Sequence, residues 1–275
     1  MNYFSPNSIS ELFNLFESIK NYTILVGGTD LMPGFENGTP LPENLIDLKN
    51  ISDLSEIRET TEEIEIGALT TVTELQKNLV IHKYFNALWQ ATKEFAGVQI
   101  RNRATIGGNI CNASPSGDLL TPLYSFGAKL KLIRSKSERI VPIENIITNP
   151  GEIALNNGEI LQSVILPKTD FQSLFIKLGL RESMAISVVN FAIVYKKNCD
   201  NFEHLSIFAG AVAPTIIRLK TLENVLLDNP KTDITANLIV PDISPISDIR
   251  ASANYREQVL VNLLNNEVRR MNDEQ

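Results

Sequence analysis

The sequence holds only two cysteines and two histidines, and each shortage removes a class of chemistry. Cys111 and Cys199 are too few for a secreted scaffold stapled by disulfides. They also fall short of the roughly four thiolates an iron–sulfur cluster takes, so the chain alone is not expected to hold one. With His82 and His204 as the only histidines, a histidine-rich metal site is excluded, and both read as surface or edge residues. No apolar run approaches the roughly 20 residues needed to cross a bilayer. Residues 1–6 carry no basic segment leading into an apolar stretch, so an export signal is not expected. The glycosylation-type triplets at Asn21, Asn50 and Asn112 then read as chance matches, and the expected location is the cytoplasm. Positive charge is in deficit too. A net charge of −7 argues against a general nucleic-acid binder, which needs a cationic face, and Arg101 and Arg103 form only a local basic pair. Neither G-x-G-x-x-G opening a helix nor G-x-x-x-x-G-K-[ST] occurs, so a dinucleotide bound here does not sit on a Rossmann or P-loop scaffold.

What is present is an ordinary globular composition, 43% hydrophobic and 21% charged, in 275 residues. That length suffices for a sizeable core and more than one domain. Ser8 to Glu11 reads as a capping box, and Ile9, Leu12, Phe13, Phe16 and Ile19 recur at helical spacing, predicting a helix over 9–20. Short strands are predicted at 22–26, 45–48 and 63–66, and helices at 73–80 and 84–95. Asp118 is expected to open a helix through about 128, and strands to begin at 129 and to run over 159–166, the latter closed by Pro167. Beyond that the strands lengthen, over 186–195 and 205–212. Val259, Leu260, Leu263, Leu264, Val268 and Met271 mark one face of a closing helix. The expected boundary lies near 167–170. Mixed strands and helices without regular βα alternation point to an α+β fold.

Two segments could carry chemistry. In Leu25-Val26-Gly27-Gly28-Thr29-Asp30-Leu31 a strand runs into paired glycines and then polar residues. Glycine tolerates positive φ and leaves no Cβ between backbone and ligand, so successive N–H groups can converge on an anion. A lone Gly-Gly is more cheaply read as a tight turn. Thr105-Ile106-Gly107-Gly108-Asn109 repeats the construction, and two such turns would suit the two charged groups of a pyrophosphate. Downstream, Asp118 is either the N-cap of the next helix or an acceptor for ligand hydroxyls. Cys111, beside the second turn, reads as a small apolar filler.

The ordered series is specific. Val26-Gly27-Gly28-Thr29-Asp30-Leu31 is followed by Phe95-Ala96-Gly97, Gln99-Ile100-Arg101-Asn102 and Thr105-Ile106-Gly107-Gly108-Asn109-Ile110. Ala113-Ser114-Pro115, Asp118-Leu119, Gly158-Glu159-Ile160-Leu161, Lys177-Leu178-Gly179 and Ala185-Ile186-Ser187 come next. Gly210-Ala211-Val212-Ala213-Pro214-Thr215 and Asp248-Ile249-Arg250-Ala251-Ser252 with Tyr255-Arg256 close it. Over nearly its whole length the chain resembles the FAD-binding (medium) subunit of the molybdenum hydroxylases, the family of xanthine dehydrogenase and aerobic carbon monoxide dehydrogenase.

The resemblance implies a two-lobed FAD-binding domain over 1–168, of the type shared with vanillyl-alcohol oxidase-like flavoproteins, with sub-lobes of about 1–55 and 56–168. A small α+β C-terminal domain over 169–275, an antiparallel sheet plus helices, follows. It implies non-covalent FAD, its pyrophosphate wrapped by Leu25, Val26, Gly27, Gly28, Thr29, Asp30, Leu31 and Met32 and by Thr105, Ile106, Gly107, Gly108 and Asn109. Phe95, Asp118, Leu161 and Lys177 complete the implied set, Leu161 near the isoalloxazine. No catalytic acid–base residue and no metal ligand is expected.

Also implied are a molybdenum cofactor on a large partner subunit and [2Fe–2S] clusters on a small one, in a dimer of heterotrimers. Electrons then pass through FAD to NAD or another acceptor. The branch with extra cysteines in an inserted loop, the 4-hydroxybenzoyl-CoA reductases, is disfavoured. The segment Gly179-Leu180-Arg181-Glu182-Ser183 lies where the family approaches the flavin edge and leaves NAD docking open. Two other readings remain: a self-sufficient flavin oxidase, weakened by the absence of histidine beside either turn, and a scaffold that has lost its cofactor.

Overall fold

The computed structural model describes residues 1–182 and 184–273. They divide into two compact units, each built from several stretches of chain. One comprises 1–77, 97–112 and 127–168; the other comprises 78–96, 113–126 and 169–275.

The first unit opens with a three-stranded parallel sheet. Strands β1 (Asn2–Phe4), β2 (Tyr22–Leu25) and β3 (Asn44–Asp47) lie in the order β1-β3-β2. Helix Ile9–Ser18 joins β1 to β2, capped by the Ser8 hydroxyl, which accepts from Glu11 N. Glu11 in turn accepts from Asn7 N, one residue earlier than a reciprocal capping box requires. Leu12 of this helix is fully buried in a cluster with Ile46, Leu48, Ile51 and Leu54. Parallel strands need crossover connections, and the two short helices here, Ile9–Ser18 and Leu31–Glu36, supply them. So a small βαβ lobe stands inside a fold whose remaining sheets are antiparallel.

The unit's second sheet has five strands. They are β4 (Ile57–Glu59), β5 (Glu63–Gly67), β6 (Lys129–Arg134), β7 (Ser137–Pro142) and, after the small β8 (Ile147–Asn149) and β9 (Glu152–Ile153) pair, β10 (Ile160–Pro167). The order is β4-β5-β10-β6-β7, antiparallel throughout. Alternation in Glu63-Ile64-Glu65-Ile66 puts both isoleucines in the core.

The second unit is built on an antiparallel sheet in the order β11 (Gln172–Gly179), β12 (Ser187–Asn198), β13 (Asn201–Gly210) and β14 (Ile217–Arg218). Helices Lys220–Asp228 and Ala253–Asp273 cover it, placing Leu222, Leu226, Leu260, Leu264, Val268 and Met271 in one core with Val189, Phe191 and Ile207. The edge strand β11 is protected: Asn86 donates to Ser173 O, the Ser173 hydroxyl accepts from Ala87 N, and Gln90 accepts from Phe175 N. All three partners lie on helix Asn86–Glu94.

Several elements depart from expectation. The helix predicted over 73–80 ends at Lys77, because the Asn78 side chain accepts from Val80 N and Ile81 N and starts a new helix, Leu79–Tyr84. The helix expected from Asp118 is only Leu120–Ser125. Asp118 does not cap it; its carboxylate is bound elsewhere in the unit. Among the described residues no helix is long and apolar enough to cross a membrane.

Candidate functional site

The first glycine turn leaves the carboxyl end of β2, where open α/β sheets commonly hold ligands. Gly28 takes φ +74°, a conformation glycine adopts without strain. Gly27 is required for a different reason. A Cβ there would overlap the carbonyl oxygen of Arg103. Arg103 closes the contact by donating from Nε to Gly27 O at 3.1 Å. Among the described residues the N–H groups of Gly27, Gly28, Thr29 and Asp30 find no backbone acceptor. Amides left without a backbone acceptor are what the expected anion nest requires at this turn. Leu25 and Val26 lead into it, half-buried, and Leu31 and the exposed Met32 open the following helix.

The second glycine segment differs from expectation. Residues Ile106–Asn112 form a helix, and the amides at its start are already occupied. Ile106 N donates to Thr70 O, Gly107 N to Ala68 O at 2.8 Å, Gly108 N to the Thr105 hydroxyl and Asn109 N to Thr105 O. A second nest of free amides is therefore absent. Gly107 is set by packing instead, since a Cβ would lie 2.7 Å from both the Cβ and the carbonyl oxygen of Ala68. What the segment offers a ligand is a low backbone surface at Gly108 and the side chain of Asn109, whose Oδ1 is buried without a hydrogen-bond partner.

The two turns meet. Arg103, against Gly27, immediately precedes Ala104 and Thr105. Leu161 is tied to the same region. It is 6% exposed in β10, where the register shifts between Leu161 and Ser163. Gln162, the bulged residue, accepts from Ala68 N at 2.9 Å, and Ala68 O accepts from Gly107 N. The first unit thus brings together 25–32, 105–109 and Leu161.

The second unit gathers the other three expected residues. Lys177 on β11 donates to Asp118 Oδ2 at 2.6 Å and to Glu94 O at 2.9 Å. Glu94 ends helix Asn86–Glu94, and Phe95 is its C-cap. The Lys177–Asp118 side chains are only 4% and 9% exposed, and Ser187 on β12 donates to Asp118 Oδ1 at 2.7 Å. Burial pushes the Asp118 carboxyl above the usual carboxylate range, and the Lys177 ammonium and Ser187 hydroxyl pull it back. Burial also pushes the Cys111 thiol up to about 11, which leaves it inert as a nucleophile at neutral pH.

Sequence reasoning did not single out Arg103 or Ser187 for these roles. Arg103 stood out only as part of a basic pair, and Ser187 only as the end of Ala185-Ile186-Ser187. Nor did it find the Gly210 contact, where a Cβ would overlap Asn190 Oδ1. Of the segment at 179–183, Ser183 lies outside the described residues.

This constellation fits a flavin dinucleotide. Unpartnered amides at the first turn, a cation beside it and an orphaned Asn109 oxygen suit a pyrophosphate cradle. Comparison with known proteins agrees. Residues 1–169 match the FAD binding domain in molybdopterin dehydrogenase, and residues 175–271 match the CO dehydrogenase flavoprotein C-terminal domain. The xanthine dehydrogenase FAD-binding subunit of Escherichia coli O157:H7 is 31% identical over 262 residues, covering 92% of this chain and 90% of that one. The carbon monoxide dehydrogenase medium chain of Hydrogenophaga pseudoflava is 27% identical, covering 92% and 91%. A solved carbon monoxide dehydrogenase from Hydrogenophaga pseudoflava, lacking the Mo-pyranopterin moiety, superposes with a TM-score of 0.89 at 26% identity, covering 97% of this chain and 95% of its counterpart. The chain belongs to the FAD-binding subunits of the molybdenum hydroxylases, the oxidoreductase family of xanthine dehydrogenase and carbon monoxide dehydrogenase.

Proposed function

We propose that this subunit is an electron relay: it receives electrons from [2Fe–2S] clusters on a small partner subunit and passes them through FAD to NAD or another acceptor. A large partner subunit carries the molybdenum cofactor and oxidises the substrate, and the assembly is a dimer of heterotrimers in the cytoplasm. The observation that carries this reading is a mismatch of parts. The chain has the residues for a flavin cradle, but two cysteines are too few for the cluster ligands that would feed it.

In this reading residues 1–168 carry the FAD-binding domain and 169–275 the closing domain, with 78–96 and 113–126 of the first sequence block clustering with the second. Leu25 to Met32, with Thr105 to Asn109, hold the pyrophosphate. Phe95, Asp118, Leu161 and Lys177 contact the rest of the cofactor. FAD supplies the redox chemistry when bound; the chain binds it, orients it and sets its electrostatic surroundings. The Lys177–Asp118–Ser187 cluster gives Lys177 a fixed position and offsets part of the cost of burying the Asp118 carboxyl.

The test is anaerobic reduction. NADH added to the isolated FAD-loaded chain should bleach the flavin band near ~450 nm if NAD is the acceptor. Xanthine, the first candidate from the name of the 31% identical relative, should bleach it only in the assembled complex. Bleaching of the isolated chain by an organic substrate would mark a self-sufficient oxidase and overturn the relay.

A further inference from the structure

We infer that Arg103 is a further FAD-binding residue, whose guanidinium neutralises the cofactor's pyrophosphate at the first glycine turn. This rests on the reading that the turn holds that pyrophosphate.

Four observations carry it. The Arg103 backbone sits directly against Gly27, because the missing Cβ there makes room for the Arg103 carbonyl. The Arg103 side chain returns to the same residue, donating from Nε to Gly27 O. With Nε so anchored, the guanidinium lies beside Gly27 O, at the turn whose Gly27, Gly28, Thr29 and Asp30 amides lack a backbone acceptor. Among the described residues, Arg103 has no carboxylate within ion-pair reach, although the chain carries an excess of acid.

The chemistry follows from the geometry of the side chain. A guanidinium offers a planar fork of N–H donors, and one edge can stay on a carbonyl while the other meets a phosphate oxygen. An ammonium cannot do both in a fixed plane. The amides supply partial charge only, whereas a pyrophosphate carries two full negative charges, and the exposed Asp30 at the end of the turn adds another. Arg103 provides the compensating cation.

The full-length chain, stripped of flavin, is titrated with FAD at several salt concentrations for wild type, Arg103→Gln and Arg103→Lys, and each apo-protein is melted. Arg103→Gln should weaken FAD about tenfold and flatten the salt dependence, with an unchanged apo melting temperature. Arg103→Lys should keep the salt dependence and recover only part of the affinity. Two results would overturn the inference: unchanged FAD affinity, or a loss that leaves the salt dependence intact and tracks a lower melting temperature, which would make Arg103 a brace for the turn. Gly28→Val, titrated alongside, separates the two readings. If it too binds FAD normally while folded, the turn is not the pyrophosphate site at all.

Discussion

Gly27 and Gly28 are neighbours with different reasons to be glycine, and substitution should tell them apart. Gly28 takes a positive φ, and a Cβ there would meet only the side-chain carbons of Leu25 and Met32 at 3.2 Å, so Gly28→Ala should cost about 1 kcal/mol of stability, the ordinary penalty of a left-handed residue. Gly27 is held against the Arg103 carbonyl, and Gly27→Ala forces two backbone segments apart, at about 2–3 kcal/mol. Urea denaturation of the two variants checks the order, and equal losses would remove the packing argument. The paired glycines were legible in the sequence as a motif, yet the motif did not distinguish these roles. It also led to the expectation of two equivalent amide nests. The second segment is the first turn of a helix because Ala68 and Thr70 carbonyls and the Thr105 hydroxyl take its N–H groups. Those acceptors lie more than thirty residues upstream, or depend on a rotamer, and local composition does not reveal them.

At the scale of elements, two charge clusters, one buried and one partly exposed, hold segments of the second unit to their neighbours. Lys177, Asp118 and Ser187 join β11, β12 and the turn before helix Leu120–Ser125. Asp118→Asn strands a buried ammonium and should cost about 3 kcal/mol in urea unfolding. Lys177→Met should cost less, because a carboxyl already pushed upward by burial can take up a proton. In that variant the folded state binds more protons than the unfolded one, so stability should recover as pH falls from about 7 to about 5. A pH-independent loss would refute this.

Asp248 shows the opposite sign. Its carboxylate accepts from Arg250 N and Ala251 N and from the guanidinium of Arg256, which is 2% exposed and also donates to Val188 O and Ala211 O. These bonds, the Arg250 amide first, hold its carboxyl far below the usual carboxylate range. Its contribution is therefore full above the unfolded value of about 3.9 and is lost as pH falls through the lower folded value. The stability gap between wild type and Asp248→Asn should narrow steadily as pH drops from about 5 to about 2; a constant gap would contradict it.

The long elements were readable from periodicity. Leu260, Leu264, Val268 and Met271 do form the inner face of the closing helix. Strand β11 was not foreseen, because Leu174, Phe175 and Ile176 run without alternation, and the strand is defined by pairing with β12 and by the side chains of helix Asn86–Glu94.

At the scale of the whole molecule, the chain does not fold as a simple string of two blocks. The stretches 78–96 and 113–126, early in sequence, belong to the same compact unit as 169–275. Composition hides this, because each stretch is too short to differ in texture from its surroundings. Its consequence is that Phe95 and Asp118 share a unit with Lys177, while both glycine turns and Leu161 belong to the other. Truncation at about 168 should therefore leave 78–96 and 113–126 without their core partners, and the fragment should aggregate or lose flavin.

The central claim is that this chain holds FAD non-covalently for a larger oxidoreductase. The most direct measurement is the absorbance spectrum of the purified full-length chain, with the cofactor released by denaturation and identified. The account predicts bands near ~370 and ~450 nm and about one FAD per chain set free without proteolysis. A colourless protein that takes up no added FAD, or a flavin that stays attached to the denatured chain, would contradict it.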